Sequence, residues 1–159
     1  MKRRVLQVIL LIIYVGLLGF FTYQCLQTGT QSTTSSNVVG NVVADTIEIT
    51  TPIQIDRNEQ YFLLIRKLIG HYGFFAILGA ISFMFYHSII EIKLSYRLSL
   101  HFAIGFIYAM ISEFLLEASA DGRGPSFGDV MIDYSGFLTS SLFFVIALVI
   151  FQIKKRKTN

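Results

Sequence analysis

The sequence has no tryptophan, a single cysteine, and charged side chains at only 14% of its 159 positions. A lone cysteine, Cys25, cannot close an internal disulfide, and with no neighbour to activate it the side chain is expected to pack at a helix end. Closely spaced cysteine pairs, a His-Glu-x-x-His run, a P-loop and a serine elbow are all missing, which removes the common metal, nucleotide and nucleophile signatures. A single well-placed histidine does not make a dedicated zinc site, so neither a metal nor a cofactor is expected. The scarcity of charge decides the class. With 53% hydrophobic residues the chain reads as an integral membrane protein. Its net charge of +3 is carried by short basic clusters, and no basic-aromatic pattern points to nucleic acid.

Crossing a hydrocarbon layer of about 30 Å takes roughly 20 helical residues. Four stretches suffice, over 5–23, 68–90, 98–116 and 133–153. What lies outside them is too short for a separate soluble domain, and no internal repeat is visible. The expected fold is therefore all-α, a polytopic membrane protein of four transmembrane helices with a short extracytoplasmic interfacial segment. It divides into a first helix (1–25), an extracytoplasmic loop with an interfacial helix (26–67), a three-helix core (68–153) and a basic tail (154–159). The first helix has a basic flank but no small-x-small cleavage site, which marks it as a retained signal-anchor.

Lysine and arginine set the orientation. Lys2, Arg3 and Arg4, then Lys93 and Arg97, then the Lys154-Lys-Arg-Lys157 tail all fall on one side of a four-span arrangement. The positive-inside rule places that side, with both termini, in the cytoplasm. Tyr23, Tyr61, Tyr72 and Tyr134 then fall near the outer interface, with Tyr86 and Tyr96 near the inner one, a tyrosine belt in place of tryptophan. The polar tract at 28–37 is too poor in apolar area to order itself, and 38–55 is expected to be an extended or interfacial segment. From Asn58 onward, Tyr61, Phe62, Leu64 and Ile65 line one side of a short interfacial helix.

Between the third and fourth stretches runs Glu113-Phe-Leu-Leu-Glu117 and then Asp121-Gly-Arg-Gly-Pro-Ser-Phe-Gly-Asp129-Val-Met-Ile-Asp133. A carboxylate near hydrocarbon is costly unless paired, hydrated or neutralised, so this cluster is the candidate site. Counted from Leu98, Glu113 lies about 23 Å along its span, just short of the outer boundary. His71 enters from the opposite direction to a similar depth. Glu113 and Glu117 share a helix face, as do Asp129 and Asp133 if the fourth helix starts early. Arg66, Lys67 and Arg123 are the cations at that level. The ordinary alternatives are that Ser126-Phe-Gly-Asp129 caps the fourth helix, that Glu117, Asp121 and Arg66 are solvated near headgroups, and that His71 is an interfacial residue. Glycines 122, 124 and 128 with Pro125 suggest a tight turn whose amides face an anion.

The run Gly122-Arg123-Gly124-Pro125, then Asp129-Val-Met-Ile-Asp133, then Gly136, resembles the signature of VanZ-like membrane proteins. Ser112-Glu113 is similar to that family's acidic pair, and Arg66-Lys67 with His71, Leu78 and Gly79 to its second-span entry. The resemblance covers roughly 66–144. It departs at Leu116, where the family has glutamine, at Phe74, where it has glutamate, and in one extra residue between Lys67 and His71. It implies a bacterial multi-pass envelope protein, in a family named for a member associated with low-level teicoplanin resistance. Two functions are carried forward. In the first, an outer-leaflet pocket binds an amphiphile such as a lipoglycopeptide or lipid-linked wall precursor, with Arg66, Lys67 and Arg123 on anionic groups and Glu113 and Asp133 holding those cations. In the second, Glu113 or His71 is the general base of an intramembrane enzyme acting on a lipid-linked phosphate or acyl bond. A transporter ranks third, because the polar cluster lies at one surface and not at the midplane.

Overall fold

In hydrocarbon a backbone must satisfy its own hydrogen bonds, and each of the four apolar runs does so as a helix. The computed structural model describes residues 2–57, 60–89 and 93–158, without the side chains at 2, 60, 61, 63, 152 and 155–158. The expected helix start at Asn58, the Tyr61 ring, the end of the second span at Ile90 and most tail side chains therefore lie outside the described residues. The elements are α1 (Lys2–Cys25), α2 (Gly29–Thr50), α3 (Gln60–Lys67), α4 (Phe74–Ile89), α5 (Leu94–Ile111) and α6 (Phe127–Thr158). Four continuous helical runs, Arg3–Cys25, Leu64–Ile89, Leu94–Ser119 and Phe127–Phe151, are long and apolar enough to cross a membrane. Their outer faces are greasy, with Ile12, Phe143 and Phe151 all well exposed, as a lipid-facing surface requires. This is an all-helical, multi-pass membrane fold.

Consecutive spans run up and down. Near the basic end, Arg3 Nη2 and Gln7 Nε2 of α1 donate to the Ser88 carbonyl of α4 at 3.1 and 2.6 Å. Midway, the Tyr14 and Tyr86 hydroxyls stand 3.4 Å apart. The core is formed by Phe21, Cys25, Phe75, Leu78, Ala109, Val130 and Phe137, and the most extensive interface is that of α4 with α6. Cys25 is buried at the last residue of α1, as expected. Below the core, His101 shares a 2.9 Å hydrogen bond with Ser141, both buried, a polar contact inside apolar spans.

Two sequence expectations are corrected. The stretch 28–55, read as unordered and then extended or interfacial, is mostly the helix α2. Its start is a capping box, with Thr28 Oγ1 accepting from Gln31 N–H and the Gln31 side chain accepting from Thr28 N–H. Hydroxyls of Thr34, Ser36, Thr46 and Thr50 return to carbonyls one turn back, so the polar tract satisfies itself within the helix. Gly40 and Ala44 form its buried strip, with Gly40 lying close to Phe62 and Arg66 of α3. Packing of a narrow small-residue face replaces the wide apolar stripe that the sequence lacks. Second, the last span begins at Phe127, not at Asp133. At about 1.5 Å per residue α6 is roughly 48 Å long, well beyond the hydrocarbon, and its first two turns carry Asp129 and Asp133.

Candidate functional site

The site lies at the end of the bundle where α1 and α5 finish and α4 and α6 begin. Both spans that feed it depart from α geometry there. Leu68–Gly73 is a π-helical turn between α3 and α4, and Ser112–Leu116 is another after α5, closing in a 3₁₀ turn at Glu117–Ser119. A π turn adds one residue to a helical turn and rotates the next residues about the axis, and such turns concentrate at functional sites. Here the first carries His71 and the second carries Glu113. Gly136 lets α6 approach them: a β-carbon there would overlap the Tyr72 carbonyl, next to His71.

The buried heart of the site is a histidine between two carboxylates. His71 Nδ1 lies 3.0 Å from Asp133 Oδ1 and 3.7 Å from Glu113 Oε1. Glu113, Asp133 and Ser112 are fully buried, and Ser112 Oγ stands 3.5 Å from Asp133 Oδ2. Ser126 caps α6 as expected, its Oγ accepting from the Asp129 N–H at 3.2 Å. The reciprocal half of a capping box is rewired, however. Glu113 Oε2, not Asp129, accepts the Ser126 N–H at 3.2 Å, while Glu113 Oε1 has no hydrogen-bond partner among the described residues. Asp129 is thereby free to pair with Lys67, whose Nζ lies 2.6 Å from Oδ1.

The expected pairing of cations with Glu113 and Asp133 is corrected. Arg123 bonds Glu117 instead, and its Nη1 donates to the carbonyls of Gln24 and Cys25 at 3.2 and 3.4 Å, tying down the C-terminus of α1. A guanidinium suits that place because the last carbonyls of a helix are unpaired and carry partial negative charge. Arg66 points to α2, where its Nε donates to Ser36 Oγ at 3.1 Å. Its described partner is uncharged, whereas Lys67 and Arg123 are each neutralised by a carboxylate. The 120s turn is tight, with Gly122 at φ +74° and the Asp121 carbonyl accepting from Gly29 N–H at 2.9 Å. The Arg123 amide is spent on the Ala120 carbonyl at 3.2 Å and so does not face an anion.

These groups open onto a cavity of about 1590 Å³ between α1, α2, the end of α3, the first π turn, α4 and the 120s turn. Arg66, Lys67, His71, Glu117, Arg123 and Asp129 line it, together with apolar Phe20, Phe21, Phe74 and Ile77. Of the eight candidate residues, Glu113 and Asp133 stand apart from this lining, behind His71. One donor atom from each of His71, Glu113 and Asp129 lies within 4.8 Å of the others, so these three can face a common cation. The sequence reading missed Ser36, which nothing in a serine-threonine tract distinguishes, and His101, which an ionisable residue within an apolar span does flag. The chain matches no family model, and no curated protein or solved structure is significantly similar to it.

Proposed function

We propose that the protein is a VanZ-like envelope factor of the bacterial cytoplasmic membrane, with both termini in the cytoplasm and its cavity opening at the outer leaflet. There it binds the anionic end of an amphiphile, a lipid-linked wall precursor or a lipoglycopeptide, and contributes to teicoplanin-type resistance. One observation carries this reading: a large cavity with aromatic and aliphatic walls contains one cation, Arg66, whose described partner is a hydroxyl. Such a guanidinium can accept a phosphate or carboxylate in bidentate fashion without first breaking an ion pair. The family assignment draws support from the motif's physical roles. Gly136 clears the Tyr72 backbone, Asp133 faces His71, and the extra residue before His71 coincides with a π turn, the form in which a helix absorbs an insertion.

The test is antibiotic susceptibility of a deletion strain complemented with wild-type or Arg66→Ala protein, with membrane levels of each checked. The wild-type gene restores tolerance to teicoplanin and Arg66→Ala does not. Equal susceptibility of the intact and deleted strains overturns the reading.

The histidine-carboxylate contact favours one alternative, an intramembrane enzyme acting on a lipid-linked phosphate or acyl bond. His71 lines the cavity and Asp133, 3.0 Å away, fixes its ring, which is how a general base is oriented. Turnover of envelope lipids by the purified protein, abolished in Asp133→Asn, would establish it.

A further inference from the structure

His71, Glu113, Asp129 and Asp133 are brought from three separate segments to one point, and the ion pairs around them leave a charge imbalance. Lys67 neutralises Asp129 and Arg123 neutralises Glu117. Glu113 and Asp133 remain, both fully buried, with only the His71 ring between them. Two carboxylates in such a place are compensated either by a cation or by protons, since an unpaired buried charge is strongly unfavourable. Glu113 supplies a second, independent sign. Its side chain is 1% exposed, and Oε1 is aimed at His71 Nδ1 from 3.7 Å with no hydrogen-bond partner among the described residues.

We infer that His71, Glu113 and Asp129 form a divalent-cation site, with Asp133 as the carboxylate that orients the histidine. Mixed imidazole and carboxylate donors suit first-row ions such as Mn²⁺ and Zn²⁺. Ligand atoms about 2.1 Å from a common ion stand at most about 4.2 Å apart. Three such donors cannot all be opposite one another and stand about 3.0–3.4 Å apart around the ion, so donor atoms now within 4.8 Å close by up to about 1.5 Å, within the reach of side-chain rotation. The Asp133 contact takes His71 Nδ1, which leaves Nε2 for the ion, the arrangement in which a carboxylate on the other ring nitrogen fixes a metal-bound histidine and raises its basicity. Lys67 is the resident competitor. Its ammonium occupies Asp129 at 2.6 Å, but its side chain is 48% exposed on a flexible stem and can swing away as an ion enters. This assignment is independent of the amphiphile, because it concerns the groups behind the cavity wall as well as those on it.

The full-length protein in detergent micelles, stripped with chelator, is equilibrated with Mn²⁺ or Zn²⁺ and assayed for bound metal, with the Mn²⁺ resonance spectrum as a direct readout. Stoichiometric uptake is expected. Glu113→Gln and Asp129→Asn each weaken it by about tenfold or more, comparable to the loss of a metal's supporting residues. Lys67→Gln tightens it, because a competing cation is gone. Asp129 sits at the margin of the site, so Asp129→Asn decides the matter if Glu113→Gln fails to fold. No stoichiometric uptake by the stripped, helical protein overturns the proposal, as does wild-type affinity in folded Asp129→Asn. Weaker binding in Lys67→Gln would also overturn it, since that result would make the lysine part of the site's support.

Discussion

Arg123 illustrates how a residue that looks like a ligand contact can hold the scaffold together. Its guanidinium joins three segments, neutralising Glu117 after α5 and donating to the last carbonyls of α1. Arg123→Ala leaves Glu117 buried without a counter-charge and should cost about 3–5 kcal/mol of stability, read by denaturant unfolding in micelles. Arg123→Ala combined with Glu117→Gln should cost clearly less than the sum of the two single changes, because the stranded charge is gone. Gly136→Ala should destabilise by about 1–3 kcal/mol, as the new methyl forces α6 away from the Tyr72 backbone. At this scale the sequence was informative about which residues belong to the site, because a carboxylate or imidazole in an apolar setting stands out. It was silent on the partners. Choosing Glu117 over Glu113 for Arg123 depends on the rotation introduced at Ser112–Leu116, and no residue type in that stretch marks a π turn.

At the scale of elements, α2 is the clearest departure from what was legible. Hydropathy locates helices that face lipid, and α2 is held by other forces: a capping box, hydroxyl-to-carbonyl bonds, and a thin strip at Gly40 and Ala44 against α3. Thr28→Ala should therefore cost about 1 kcal/mol and increase amide exchange in the first turn of α2. The other end of α2 is closed by Arg57, which bonds Asp45 and Glu48 at 2.5 and 3.2 Å, while Glu48 Oε1 accepts from the Ile55 N–H at 2.9 Å. The Ile55 amide and then Arg57 hold the Glu48 carboxyl below its usual range, and the two carboxylates raise Arg57. A depressed carboxyl contributes its stabilisation above the unfolded value and loses it as pH falls through the folded one. Protection of amides 51–57 from exchange, taken relative to the intrinsic rate at each pH, should accordingly be high at neutral pH and fall in acid below the ordinary glutamate range, with Glu48→Gln low at both. An acid-insensitive segment would show that this clamp does not order it.

At the scale of the molecule, the four spans were readable because each is an unbroken apolar run, and the convergence of their ends comes from up-and-down connection alone. The clustering of Arg3, Lys93, Arg97 and Lys154 at the end opposite the site gives the chain a polarity that the positive-inside rule converts into an orientation. Single cysteines placed at Ser119 and Tyr96 in a Cys25→Ser background should differ under a membrane-impermeant thiol reagent, with only the first labelled from outside intact cells. The cavity is a property of the whole assembly, since its walls come from α1, α2, the end of α3, α4 and two turns, and none of those segments carries a binding motif by itself. Its central feature is the positive charge of Arg66 beside an apolar wall. The most direct test is retention of a radiolabelled lipid-linked wall precursor by the purified protein in lipid nanodiscs. Wild-type protein and Arg57→Ala should bind it alike, and Arg66→Ala should bind about tenfold more weakly, the loss of one charge-assisted contact. Equal retention by wild type and Arg66→Ala, or none by either, would contradict the account.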